Sequence, residues 1–434
     1  MRKDTLCKQI FYFLRLTNTM YKSQNPSLWV APPGITKPLW LLAITCAGMI
    51  LCSCSRQSKK SDKTLTDSLS YALPKPGPIT DAERAFLQNA VQAWYDTLID
   101  KSGFEGGILV AKGGNIVYER YRGYTDQRGT DSITSNTAFH IASVTKTFTA
   151  MAVLKLLQDG RLALDDPFSK FFPGFPYPGV TIKNLLNHRS GLPNYVYAME
   201  DLGWDKEKII RNQDVLDFLI NRKNEIKNIA RPDTRFSYCN TNYALLALLI
   251  EKVSGKPFPV FMQEQYFKPL GMHNSFVYTK NDSARAPLSF DWRRNAIPMN
   301  FLDEVYGDKN MYSTPRDLLI WDRALKEGVI FSKETFELAY SPYSNEKTGI
   351  RNYGLGWRLN VYPDGNKLVY HNGWWHGNNA SFIRMIPEDA TIIVVGNRFT
   401  RAVYKSKYLC SLFNLKLTDR EEEGDSSKSG GSPR

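Results

Sequence analysis

Runs rich in β-branched and aromatic residues stand at both ends of the globular part of the chain, and helix-patterned sequence fills the middle. This limits the fold more than any other feature. Near the start, GGILVAK and NIVYERYRGY flank Gly113 and Gly114, the signature of a hairpin. Toward the end, NKLVYHNG, SFIRMIP and TIIVVGN are three more short strands joined by compact turns, followed by the amphipathic stretch RAVYKSKYLCSLFNLKL. Ahead of the hairpin, TDAERAFLQNAVQAWYDTLIDKSG carries Thr80 and Glu83 at capping-box spacing and ends at Gly103, which predicts a first helix. Strands so far apart in sequence predict a mixed α/β (α+β) fold. Its antiparallel sheet is assembled from both termini, flanked by helices, and carries an inserted helical domain. No internal repeat is present.

What precedes this unit reads as an export signal. Lys37 leads into PLWLLAITCAGMIL, which is shorter than the roughly 20 residues that span a bilayer. The LCSC that follows, with Leu51 three residues before Cys54, resembles a bacterial lipobox. That resemblance implies cleavage before Cys54, lipidation of its thiol and a place in the cell envelope. An uncleaved anchor is the other reading, and Met20 is an alternative start. The expected organisation is a lipoprotein signal peptide over 1–53, a polar tether over 54–78, a folded domain over 79–417 and a disordered tail over 418–434. Only Cys239 and Cys410 remain in the folded unit, so a disulfide framework is not expected. Of the net charge of +13, six basic residues against one acid before Cys54 supply +5; the rest is spread without a lysine/arginine run, which argues against nucleic acid as a partner.

In FHIASVTKTFTAMAVLKLLQDG, Ser143 opens a long apolar helical run that stops at Gly160. Ser143 and Lys146 are three apart, one face of a helix, so the ammonium can reach the hydroxyl while the helix N-terminus directs N–H groups at it. A hydroxyl near a lysine is one way to activate a weak nucleophile. SxxK alone is common, and Ser344 with Lys347 repeats it by chance in SPYSNEKTGI, which also contains YxN and KTG patterns.

Context separates the two. FHIASVTKTFTA, TIKNLLNHRSGLPNY, FSYCNTNYALLALLIEKVSG, FKPLGMHNSFV, YSTPRDLLIW, YGLGWRL and YHNGWWHGNNASF follow one another in an order that resembles the serine β-lactamase-related hydrolases, nearest the class C β-lactamase, D-aminopeptidase and esterase branch. The resemblance implies the penicillin-recognising fold with a site in the cleft between sheet and helical domain. It implies an acyl-enzyme mechanism on a small amide, ester or peptide, with no cofactor. Residue by residue, it makes Ser143 the nucleophile and matches the YxN motif with Tyr238 and Asn240. The charge of Lys146 would lower Tyr238 from its ordinary pKa of about 10, and Asn240 would bond the substrate. The third motif falls on His371 and Gly373, with the oxyanion hole at the N–H groups of Ser143 and Trp374.

Histidine stands where the KTG form has lysine. An imidazole is mostly neutral at pH 7, which weakens any fixed attraction for a substrate carboxylate. SPYSNEKTGI precedes YGLGWRL, whereas the family's third motif follows that segment, so it is expected to be a loop outside the cleft. Cys239 is read as a small buried residue and His188 as structural, while His376 has no derived role. No HExxH or close His/Cys cluster supports a metal. The alternative reading is a lipoprotein that uses the same fold to bind cell-wall peptides without turnover.

Overall fold

The computed structural model describes residues 69–415 except residue 228. The lipobox at Cys54 and the tail from 418 lie outside the described residues. Seven strands form the main sheet: β1 Gly106–Lys112, β2 Asn115–Arg122, β3 Arg351–Tyr353, β4 Arg358–Val361, β5 Lys367–Trp375, β6 Asn378–Met385 and β7 Ala390–Gly396. Their order is β2-β1-β7-β6-β5-β4-β3, and each neighbouring pair is antiparallel. The expected junction of the termini is the β1–β7 ladder, which pairs Ile108 with Val394 and Val110 with Ile392.

β6 and β7 are buried at every position because both sheet faces are covered; β7 accordingly runs apolar without alternating, while β6 buries Asn378, Asn379, Ser381 and Arg384 among its apolar residues. Helix α1 (Asp81–Trp94) and the final 3-10 helix (Arg401–Phe413) are joined by Trp94 Nε1 donating to the Lys405 carbonyl at 3.3 Å. A second tie links the sheet to a later helix, Pro315–Ala324. There Asp322 accepts from Arg384 of β6 at 2.5 Å and from Thr391 of β7 at 2.6 Å. Thr80 caps α1 as its spacing predicts, accepting the Glu83 N–H at 3.1 Å.

Between β2 and β3 lie the helices that form the other wall of the cleft. α2 (Thr145–Gln158) packs on α3 (Asn240–Ser254), whose residues Thr241 to Ile250 are all buried. A helix apolar around its circumference belongs in a core, where each leucine resists truncation by roughly 2–5 kcal/mol. Phe148 of α2 stacks on Trp321 with ring centroids 4.4 Å apart. The YGLGW segment crosses α2 closely enough that a Cβ on Gly356 would lie 2.2 Å from that of Ala150. Its φ of +87° is a second reason for glycine there.

The folded body starts earlier than composition suggests. Residues assigned to the tether pack on it: Tyr71 and Leu73 rest against the core, Gly77 N–H donates to the Gly113 carbonyl at 2.7 Å, and Arg323 reaches the Pro74 carbonyl. Three prolines and a run of polar residues looked like a spacer, but the backbone here bonds to the hairpin turn.

Candidate active site

Ser143, where periodicity put the helix start, precedes the first α-helical residue, Thr145. It sits in a 3-10 turn, Ala142–Val144, that runs directly into α2 at Thr145. Continuous helical winding preserves the i,i+3 relation, and Lys146 Nζ stands 3.2 Å from Ser143 Oγ. Lys146 has no solvent exposure, so its ammonium must be satisfied within the protein. Three acceptors meet its three N–H groups: Ser143 Oγ, Asn240 Oδ1 at 2.9 Å and the Asp308 carbonyl at 2.7 Å. Ser143 Oγ is an acceptor in this arrangement, which leaves its own proton for another partner.

Tyr238 stands beside this group. Lys146 Nζ is 5.0 Å from the centre of its ring, and the Arg358 guanidinium carbon is 5.2 Å from it. Tyr238 and Asn240 flank Cys239 at the entry to α3, and this short segment is held by the NHRSGLP stretch. Cys239 N–H donates to His188 Nδ1 at 3.1 Å, Ser237 N–H donates to the His188 carbonyl at 2.9 Å, and Thr241 donates to the Pro193 carbonyl at 2.6 Å. His188 thus orients the YxN segment, and its ring lies 4.3 Å from that of Tyr238. Cys239 is buried with its thiol against the Leu192 and Pro193 carbonyls, and burial pushes the thiol pKa up.

β5 brings the third motif to the same turn. A Cβ on Gly373 would lie 2.4 Å from the Ile141 carbonyl oxygen and 3.1 Å from Ser143 N, so only glycine lets the strand approach the turn that carries Ser143 this closely. Trp374 follows, about one third exposed, its indole N–H donating to the His376 carbonyl at 2.8 Å.

His371 departs from its expected place as a substrate contact. It is fully buried, and both ring nitrogens are engaged. Nδ1 faces the Asn372 carbonyl at 2.7 Å and must carry the proton; Nε2, 3.1 Å from Tyr353 Oη, then accepts from that hydroxyl. The ring is a neutral prop in the wall behind Tyr238. Burial first, then the charges of Arg358 and Lys146, hold its pKa well below the usual imidazole range. The resemblance put the third motif on this strand but could not give the depth of its side chains.

SPYSNEKTGI is a loop. Lys347 is exposed, and Ser344 Oγ is buried without a hydrogen-bond partner. The loop is nevertheless tied to the site, because Glu346 accepts from Phe236 N–H at 2.9 Å and from Arg189, bracing the segment that carries Tyr238. Sequence reasoning gave no role to Asp308, Tyr353, Arg358 or Glu346. A backbone carbonyl such as that of Asp308 leaves no residue-type signal, although Arg358 does follow YGLGW directly. His376 donates to the buried Asp303 carboxylate at 2.9 Å, with Trp375 Nε1 on the same group at 2.5 Å. Among the described residues, no group of three or more His, Cys, Asp or Glu is placed to hold a metal ion.

Three buried histidines, His140, His188 and His371, all have pKa values pushed down by burial, His140 to about 4. Unfolded, each binds a proton near pH 6.5, so their folded-state advantage is complete above that pH and is lost as pH falls toward the folded values. His140 alone should remove about 2 kcal/mol between pH 6.5 and pH 5. Urea unfolding is therefore expected to show a lower midpoint at pH 5 than at pH 7.5. Equal midpoints would mean that these rings are not held neutral.

A sheet joining both termini, a helical wall, and a serine and lysine facing a tyrosine and a glycine-bearing strand define the serine β-lactamase class of fold. The chain belongs to the beta-lactamase family, whose model matches residues 91–407. It is 33% identical over 335 residues to Penicillin-binding protein 4* of Bacillus subtilis (strain 168), covering 74% of each chain. Among solved structures it is similar to the octameric penicillin-binding protein homologue from Pyrococcus abyssi, at 26% identity and TM-score 0.64, covering 77% of this chain and 78% of that one. It also shares the fold of the D-amino acid amidase from Ochrobactrum anthropi, at 24% identity and TM-score 0.62, covering 76% of this chain and 97% of that one.

Proposed function

We propose that this protein is a serine hydrolase that forms an acyl-enzyme at Ser143 and acts on amides or esters without requiring a substrate carboxylate. The observation that carries the reading is Lys146, a fully buried ammonium whose three donors are spent on Ser143 Oγ, Asn240 Oδ1 and the Asp308 carbonyl. Burying a charge is costly, and a protein that only bound peptides would have no use for one at a serine hydroxyl.

In this mechanism Ser143 Oγ attacks the carbonyl carbon as its proton is relayed through Tyr238 Oη toward the leaving atom. The new C–O bond turns the carbonyl oxygen into an oxyanion, held by the N–H groups of Ser143 and Trp374. Collapse breaks the bond to the amine or alcohol, which leaves with the proton from Tyr238. Water repeats the sequence on the acyl-enzyme and frees Ser143. Lys146 holds Ser143 and Asn240 in register throughout, and His371 supports the wall through Tyr353.

Preference for neutral substrates follows from the neutrality and burial of His371, since no cation stands at that position of the third motif. A substrate panel tests it. Neutral p-nitrophenyl esters and amino-acid amides are expected to react with kcat/KM at least about 10-fold above benzylpenicillin or a D-Ala-D-Ala peptide, the scale of roughly 1.4 kcal/mol for one unmade charge-assisted bond. The opposite ranking would overturn the preference and point to Arg358 as an anion contact.

A further inference from the structure

We infer that His140 is a positioning residue for the nucleophile: its neutral ring clamps the turn that presents Ser143. This rests on the reading of Ser143 as the nucleophile and adds a residue to that site.

The turn needs a clamp. Ala142, directly before Ser143, has φ of +48°, a left-handed conformation that costs a non-glycine residue roughly 1–2 kcal/mol. Its N–H donates to His140 Nδ1 at 3.1 Å. A backbone N–H can only donate, so Nδ1 must present a lone pair and Nε2 must carry the proton. That proton points to Asn310 Oδ1, 2.9 Å away. Asn310 cannot be turned the other way, because its Nδ2 already donates to the Asp303 carbonyl at 2.7 Å and the Val305 carbonyl at 2.8 Å. Two carbonyls therefore fix an amide, the amide fixes a tautomer, and the tautomer provides the acceptor that holds Ala142.

The same turn is pinned from two other directions. Ile141 N–H donates to the Met311 carbonyl at 2.9 Å, and Gly373 lies against Ile141 and Ser143. His140 is fully buried, its ring edge-on to Tyr312 at 5.1 Å. Asp303, His376 and Lys309 are the charged or titratable groups nearest it in effect, and burial dominates them, keeping the ring neutral. Rotation of the Ala142–Ser143 peptide would move both Oγ and the Ser143 N–H. A displacement near 1 Å in such a group can cost about 100-fold in rate.

Glutamine can imitate both functions, accepting through Oε1 and donating through Nε2 without titrating, whereas phenylalanine keeps the ring and neither function. The test uses the full chain and measures fluorophosphonate labelling rate, together with kcat and KM for p-nitrophenyl acetate. His140→Phe is expected to lower labelling rate and kcat by about 10- to 100-fold with KM little changed, and His140→Gln to stay within about 3-fold of wild type. Equal rates in a folded His140→Phe, or an equal loss in both variants, would overturn the inference.

Should His140→Phe not fold, the His140→Gln kinetics and the 15N spectrum of wild-type histidines decide. The His140 signal, identified by its loss in His140→Gln, is expected to show protonated Nε2 and bare Nδ1 at pH 7; protonated Nδ1 would overturn the inference. Absence of labelling at Ser143 in the wild type would instead fail the reading of the site.

Discussion

Lys146→Ala is expected to lower ester turnover by about 100-fold or more, and Tyr238→Phe by a similar factor, the scale of a group that holds or moves a proton in the transition state. The geometry gives Lys146 the larger effect on stability. Its removal frees Ser143 Oγ and leaves Asn240 Oδ1 and the Asp308 carbonyl without their donor in a buried space. An unsatisfied buried acceptor costs about 1–3 kcal/mol, so a loss of stability should accompany the loss of rate. Tyr238→Phe removes only a hydroxyl from a partly exposed ring, so its stability should change little while its rate falls. Steady-state kinetics with urea unfolding on both variants separates these effects. Wild-type kcat/KM in either variant would remove that residue from the mechanism.

The elements that could be read from the sequence are those set by local physics. Two glycines between β-rich runs gave the β1–β2 hairpin, Thr80 gave the cap of α1, and the i,i+3 spacing brought Lys146 to Ser143. What could not be read depends on depth and on backbone. Strand alternation assigns His371 and Gly373 to one face of β5, yet nothing local says that Tyr353 and Arg358 close over the histidine. A lysine at 371 would therefore be a second buried ammonium beside Arg358 and Lys146 rather than a substrate contact.

The Asp308 carbonyl, the left-handed Ala142 and the amide that fixes His140 are likewise products of tertiary contact. Motif counting also misjudged SPYSNEKTGI in one respect. It is a loop, as its place before YGLGWRL predicts, but Glu346 within it holds the backbone two residues before Tyr238. The packed stretch at 71–77 was missed for a simpler reason, since composition reports flexibility on average and cannot see a single backbone bond to a hairpin turn.

The account rests on Ser143 as the group that becomes acylated, and this can be measured without knowing the natural substrate. Ser143 Oγ accepts from Lys146 at the start of α2, partly open to solvent, while the competing Ser344 Oγ is buried in a loop whose Lys347 is exposed. A fluorophosphonate probe forms a P–O bond to an activated hydroxyl and expels fluoride, so intact mass gives the number of adducts and peptide mapping gives the residue. The expected result is a single adduct on Ser143 and a loss of labelling of about 1,000-fold or more in Ser143→Ala, in line with removal of a nucleophile. An adduct on Ser344, or labelling that persists in Ser143→Ala, would contradict the account.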